Sequence, residues 1–185
     1  MKKCLSILAL AIVFVLPLQA QKYRTNTANI WFVSLTSMEK IEAHNNQGTS
    51  LLDTQTGQVV FQVLMKGFQF EKALMQEHFN EKYVESDKFP KATFQGTITN
   101  LSEIKFSQAG TYKARVTGKM NLHGVTKPLS TEGTIEVRDG KLIVKAKFTV
   151  ALADYSIIVP VLVRESIANT IDINVDATYD LMTTP

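Results

Sequence analysis

The chain has 185 residues, 45% hydrophobic and 20% charged, which is enough for one domain with an ordinary apolar core. Its 20 basic and 17 acidic residues form no Lys/Arg block, which removes the electrostatic footing for nucleic-acid binding. Cys4 is the only cysteine, so an internal disulfide and a Cys-bound zinc are both excluded.

The first twenty residues read as a signal peptide. Lys2 and Lys3 form a positive start, Leu5 to Leu18 an apolar stretch, and Pro17-Leu-Gln-Ala20 offers a cleavage site before Gln21. The apolar stretch is too short for a comfortable membrane span, so the expected product is periplasmic or secreted, with no transmembrane anchor after cleavage. The working domain is then 21–185. It has no thiol, and it carries 18 basic residues against 17 acidic once Lys2 and Lys3 are gone.

Period-two alternation dominates this domain. A short strand is expected at Tyr23–Thr25, followed by strands near Asn29–Leu35, Met38–Ala43 and Gln58–Lys66. Residues 71–85 break the pattern. Leu74, Met75, His78 and Phe79 fall near one side of a short amphipathic helix, and Phe89-Pro90 forces the exit into a strand at Ala92–Asn100. From Tyr112 to Leu122, and again from Leu129 to Arg138, apolar and polar residues alternate as in a half-buried strand. Asp139-Gly140 predicts a two-residue type I′ turn into a return strand, Leu142–Val150. Ala151 to Ala168 is apolar but irregular, and Thr170–Leu181 closes the chain with a last alternating strand. Eight or nine antiparallel strands with one apolar face each predict an all-β barrel or sandwich.

Chemistry-bearing residues are sparse. His44, His78 and His123 are not spaced as metal ligands, and no Gly-x-Ser-x-Gly elbow or phosphate-binding loop occurs, so no metal, cofactor or catalytic residue is assigned. His78 and His123 read first as polar anchors, and an acid–base role beside Glu77 or Glu81 is the weakest alternative. The inward set Phe61, Met65, Phe94, Met120 and Phe148 fits either a filled core or a cavity lining, and periodicity does not choose between them. Gly96, Gly118 and Gly133 lie on apolar strand faces. They either bend strands or leave a channel for a slender ligand.

Three segments resemble the YceI family of exported, lipocalin-like proteins. They are Lys66-Gly-Phe-Gln-Phe70 running on through His78 to Tyr83-Val-Glu-Ser-Asp-Lys-Phe-Pro-Lys-Ala-Thr-Phe-Gln-Gly96, then Gly118-Lys-Met-Asn-Leu-His-Gly-Val-Thr-Lys127, and Asp154-Tyr-Ser-Ile157. Where many members carry an Asp-x-x-His-Ser element, this chain reads Asn29-Ile-Trp-Phe-Val-Ser34, without the histidine. The resemblance implies an extended antiparallel lipocalin-like β-barrel of about eight strands with one short helical insertion. It also implies a polyisoprenoid or other long-chain apolar ligand, often in a homodimer, and no enzymatic activity. On that reading Phe32, Phe61, Met65, Phe94, Val116, Met120, Phe148 and Ile173 line the channel, and Gly96 and Gly118 keep it open. The competing readings are a ligand-free interaction module and a weak hydrolase or isomerase.

Overall fold

In the computed structural model, which describes residues 21–182, the alternating runs become nine strands. They are β1 (Lys22–Leu35), β2 (Lys40–Asp53), β3 (Gln58–Leu64), β4 (Gln69–Phe70), β5 (Lys91–Ile98), β6 (Gly110–Leu122), β7 (Val125–Arg138), β8 (Lys141–Ala151) and β9 (Thr170–Leu181). Eight close into an antiparallel barrel in the order β1-β9-β8-β7-β6-β5-β3-β2, with β2 returning to β1. β4 adds two residues beside β2, where Ala43 faces Phe70. Closure gives each of the eight barrel strands a neighbour on both sides along at least part of its length. The signal peptide expected over residues 1–20 lies outside the described residues. Among the described residues, no helix is long and apolar enough to cross a membrane.

Two tight turns set the register of the longest hairpins. Asp139 (φ 52°) and Gly140 (φ 74°) form the expected type I′ turn, which pairs Arg138 with Lys141. His123 (φ 51°) and Gly124 (φ 74°) form a second turn of the same kind, pairing Leu122 with Val125. A one-residue slip at either turn would swap the apolar and polar faces of two strands.

The opening strands differ from the sequence expectation. Tyr23–Thr25 and Asn29–Leu35 are parts of one 14-residue β1, with register shifts against β2 between Thr25 and Ile30. β2 runs on from Ala43 to Asp53 through the polar stretch His44-Asn-Asn-Gln-Gly48. Asn45, fully buried in this stretch, has a partner for each polar atom of its amide. Its Nδ2 donates to the Leu64 carbonyl at 2.8 Å, and its Oδ1 accepts from the Gln47 N–H at 2.8 Å. The helical insertion is α1 (Ala73–His78), which widens into a π-helical turn over Phe79–Tyr83, where a single longer helix was expected.

The two ends of the barrel are unlike. The long connections, residues 65–90 and 152–169, sit at one end with the β1–β2 and β6–β7 turns. At the other end lie the β2–β3, β5–β6 and β7–β8 connections, together with Lys22 and Leu181. There the Met182 N–H donates to the Lys22 carbonyl at 2.7 Å.

Candidate functional site

Inward side chains come from every second residue of each strand, and they divide the interior into two parts. Toward the end with Lys22 and Leu181 the interior is solid. Tyr23, Leu52, Ile98, Ala114, Ile135 and Leu142 are buried against one another and border no open space. Tyr179 forms the floor above them. Its hydroxyl donates to Ser50 Oγ at 2.7 Å, and Ser50 Oγ donates to the Val60 carbonyl at 2.7 Å. Burial pushes the Tyr179 phenol far up from its ordinary value.

Above Tyr179 the barrel is hollow. A cavity of about 440 Å³ runs from this floor to the long connections, and its walls are almost wholly apolar. That volume falls in the range of small-molecule sites, roughly 300–1,000 Å³. Register explains how the lining assembles. Ile173 faces Phe32 on one side and Phe148 on the other, which makes one inward row across β1, β9 and β8. Phe94 faces Phe61 and Met120, which makes a second row across β3, β5 and β6. Val116 lies two inward steps below Met120, with Gly118 between them, and Met65 enters from the 3₁₀ turn that follows β3. These eight side chains of the expected lining all border the cavity.

Gly96 and Gly118 require a correction, for neither borders the cavity. They face each other across β5 and β6, and the Phe94 ring lies over both. A Cβ at Gly96 would stand 2.5 Å from the Phe94 ring, and one at Gly118 would stand 2.8 Å from the same ring and overlap the Gln95 carbonyl. The space left by the two missing side chains is therefore filled by Phe94. These glycines seat an aromatic side chain and let two backbones approach; they do not hold a channel open. Gly133, the third mid-strand glycine, lies in the same way against the Lys145 carbonyl and Ala146.

The sequence pattern does not announce a cluster at the end that carries the long connections. Phe32, Phe68, Phe70 and Phe79 pack with ring centroids 5.1–5.7 Å apart, and all four border the cavity. Phe68 and Phe70 arrive on the segment leading into and through β4, and Phe79 arrives where α1 widens into the π turn. Tyr83, one π turn further on, also borders the cavity, and burial pushes its phenol up. The signal present in the sequence was the Phe68-x-Phe70 alternation. Its meeting with Phe79, at the end of α1, depends on how the 65–90 connection folds back on the barrel, which alternation does not report.

The polar lining is confined to few places. Gln62, Thr93 and Thr131 lie along the walls, and Ser34, Glu39, His78 and Ser166 lie toward the long connections. Ser34, 2% exposed, accepts a hydrogen bond from the Ala168 N–H at 2.9 Å and so ties the 152–169 connection to β1. Among the described residues no group of three His, Cys, Asp or Glu side chains could hold a metal ion.

His123 stands outside the cavity and joins three connections. Its Nε2 lies 2.8 Å from Glu85 Oε2 and its Nδ1 lies 3.0 Å from the Tyr155 carbonyl, so each ring nitrogen faces an acceptor. The Phe89 ring meets it edge-on at 4.7 Å and also covers Gly124, where a side chain would collide with that ring. The Glu85–Phe89 loop, the β6–β7 turn and the Leu152–Tyr155 turn are thus fastened at one point. His78 has no comparable partner and sits in the cavity wall.

No curated protein matches the chain. Among solved structures it is similar to a polyisoprenoid-binding domain from Saccharophagus degradans implicated in plant cell wall breakdown. The identity is 14% and the TM-score 0.76, over 89% of this chain and 100% of that one. It is also similar to BcnA of Burkholderia cenocepacia, with 14% identity and a TM-score of 0.68 over 82% and 95% of the two chains. A YceI protein of Campylobacter jejuni aligns over 100% of both chains, with 12% identity and a TM-score of 0.55. At these identities the likenesses speak for the fold. The YceI-like domain model matches residues 22–179, nearly the whole of the described barrel, and the chain belongs to that family.

Proposed function

We propose that this chain is an exported, non-catalytic carrier that holds a polyisoprenoid or similar long-chain lipid inside the barrel. The observation that carries the reading is the apolar cavity between Tyr179 and the long connections. The S. degradans polyisoprenoid-binding domain of the same fold supports it. A hydrocarbon tail gains about 0.8 kcal/mol for each methylene removed from water, so each five-carbon unit contributes roughly 4 kcal/mol before ordering costs. Few hydrogen bonds are then needed, in keeping with walls that offer few. Export rests on the signal-peptide pattern of Lys2 to Ala20.

The test has two parts. Protein purified from its native host is extracted with organic solvent and the extract is read by mass spectrometry; a long-chain lipid at near one per chain is expected. Ala146, which borders the cavity, is then changed to Phe to fill it. Ala146→Phe should stay folded and lose at least about tenfold in uptake of an added polyprenol. Consistent absence of lipid together with no uptake by folded wild type would favour a ligand-free interaction module. Undiminished uptake by the filled variant would place the ligand elsewhere.

A further inference from the structure

We infer that the open end of the barrel docks on a lipid bilayer, inserting the tips of the connections that surround the cavity. The inference extends the carrier reading, and the closing experiment separates a failure of one from a failure of the other. It starts from where large apolar side chains stand in water. Among the described residues the six most exposed are Leu35, Met38, Leu74, Ile158, Val161 and Leu162, at 61–98%, and no other large apolar side chain exceeds 51%. All six belong to the end that carries the long connections. Leu35 and Met38 frame the β1–β2 turn, Leu74 lies on α1, and the other three lie in the 152–169 connection. Apolar groups gathered in this way at one pole mark an interaction surface, whereas single exposed ones do not.

The occupant follows from what lies beside these tips. Each exposed side chain is within two residues of one that borders the cavity. Ser34 precedes Leu35, Glu39 follows Met38, Met75 follows Leu74, Ile157 precedes Ile158, and Val163 closes the turn that carries Val161 and Leu162. The same segments thus make the exposed crown and the cavity wall, so an apolar molecule leaving a docked bilayer meets the lining next. The tips also carry only Leu, Ile, Val and Met. Interfaces between folded proteins centre on Trp, Tyr or Arg anchors, and here Phe68, Phe70, Phe79 and Tyr83 of the 65–90 connection border the cavity instead. Aliphatic tips gain by entering acyl chains and need no polar partner there.

Charge decides the kind of bilayer. Residues 36–39, 65–90 and 152–169 together hold five Lys and Arg against eight Asp and Glu. This end is acidic in balance, so an anionic surface would repel it, and docking rests on apolar burial in a zwitterionic one. Lys72 and Arg164 each stand two residues from a tip. At an insertion depth of about 5–10 Å their long stems keep the charged ends among the headgroups.

The experiment sediments the full mature chain with phosphatidylcholine vesicles. Wild type should co-sediment, and its affinity should not rise when the vesicles are made equimolar in phosphatidylcholine and phosphatidylglycerol. Ile158→Asp combined with Leu162→Asp should lower the affinity at least about tenfold. Neither side chain borders the cavity, so thermal melting and uptake of a polyprenol presented on cyclodextrin should stay as in wild type. Ala146→Phe, which fills the cavity, should lose that uptake and still bind vesicles. Residues 21–185 contain no cysteine, so a single introduced thiol carries a polarity-sensitive fluorophore. Its emission should move to the blue on vesicles when attached at Leu162→Cys, and should not when attached at Gln55→Cys in the β2–β3 connection of the opposite pole. Folded wild type that ignores phosphatidylcholine vesicles overturns the inference, as does binding that the double variant retains or that requires phosphatidylglycerol. A wild-type dimer that the double variant turns into monomer, with no vesicle binding by either, makes the crown an interface between copies and also overturns it. Docking without polyprenol uptake by wild type removes the carrier reading alone.

Discussion

Tyr179 shows how one side chain can separate a filled interior from an open one. It is 1% exposed, its hydroxyl is held by Ser50, and its ring faces solid core on one side and the cavity on the other. An unfolded phenol ionises near pH ~10, whereas the buried one stays neutral well above that. A group whose folded pKa lies above its unfolded value lends stability that is fully present below the unfolded value. That stability is lost as pH rises above it. Urea unfolding of wild type should therefore show stability falling steeply above pH ~10. Tyr179→Phe should cost about 1 kcal/mol at neutral pH, through the lost hydrogen bond, and should flatten that alkaline decline. Tyr23, Tyr83 and Tyr155, whose phenols are also pushed up by burial, leave a residual slope. Tyr179 was legible as an inward residue of the last strand. Its place at the boundary was not, because alternation reports which face points inward and says nothing about depth.

Among elements, β3 and β5 through β9 were readable, whereas the continuity of β1 and the second half of β2 were not, and the cause is specific. β6 through β9 alternate cleanly and are joined partly by turns whose Asp-Gly and His-Gly dipeptides tolerate positive φ, so pattern and turn chemistry agree. β2 carries a buried asparagine in mid-strand, and its satisfaction by Leu64 and Gln47 depends on a partner 19 residues away. The long connections pose the same problem. The bland reading of His123 as a loop anchor agrees with its geometry, but Glu85 and Tyr155 lie 38 and 32 residues from it in sequence. That anchoring predicts a measurable cost. His123→Asn keeps a residue that tolerates the left-handed turn but is too short to reach both acceptors. It should destabilise the barrel by about 1–3 kcal/mol in urea and raise amide exchange across residues 85–89 and 152–156. Exchange confined to the β6–β7 turn would mean that the three segments are not fastened through this ring.

For the molecule as a whole, the division into a solid and a hollow part assigns stability and binding to different layers of the same strands. On β8, Leu142 is fully buried in the solid part, and Val144, the next inward residue, borders the cavity. Leu142→Ala should cost about 2–5 kcal/mol of unfolding free energy, as buried Leu truncations do. Val144→Ala removes atoms that already face open space, so it should cost under about 1.5 kcal/mol while changing lipid uptake more than Leu142→Ala does. Equal stability costs would deny the partition. The family resemblance and the alternating strands together gave the barrel and eight lining residues. The two glycines were misread because the sequence does not reveal that the Phe94 ring folds back over them, and the depth of the floor needed three-dimensional packing.

The same polarity of the barrel bears on how the protein can be held. Lys22 and Leu181 meet at the solid end, opposite the long connections that surround the opening of the cavity. A stalk joined to either extremity, whether an uncut leader or a fused partner, therefore grips the closed pole and leaves the opening directed away from its point of attachment.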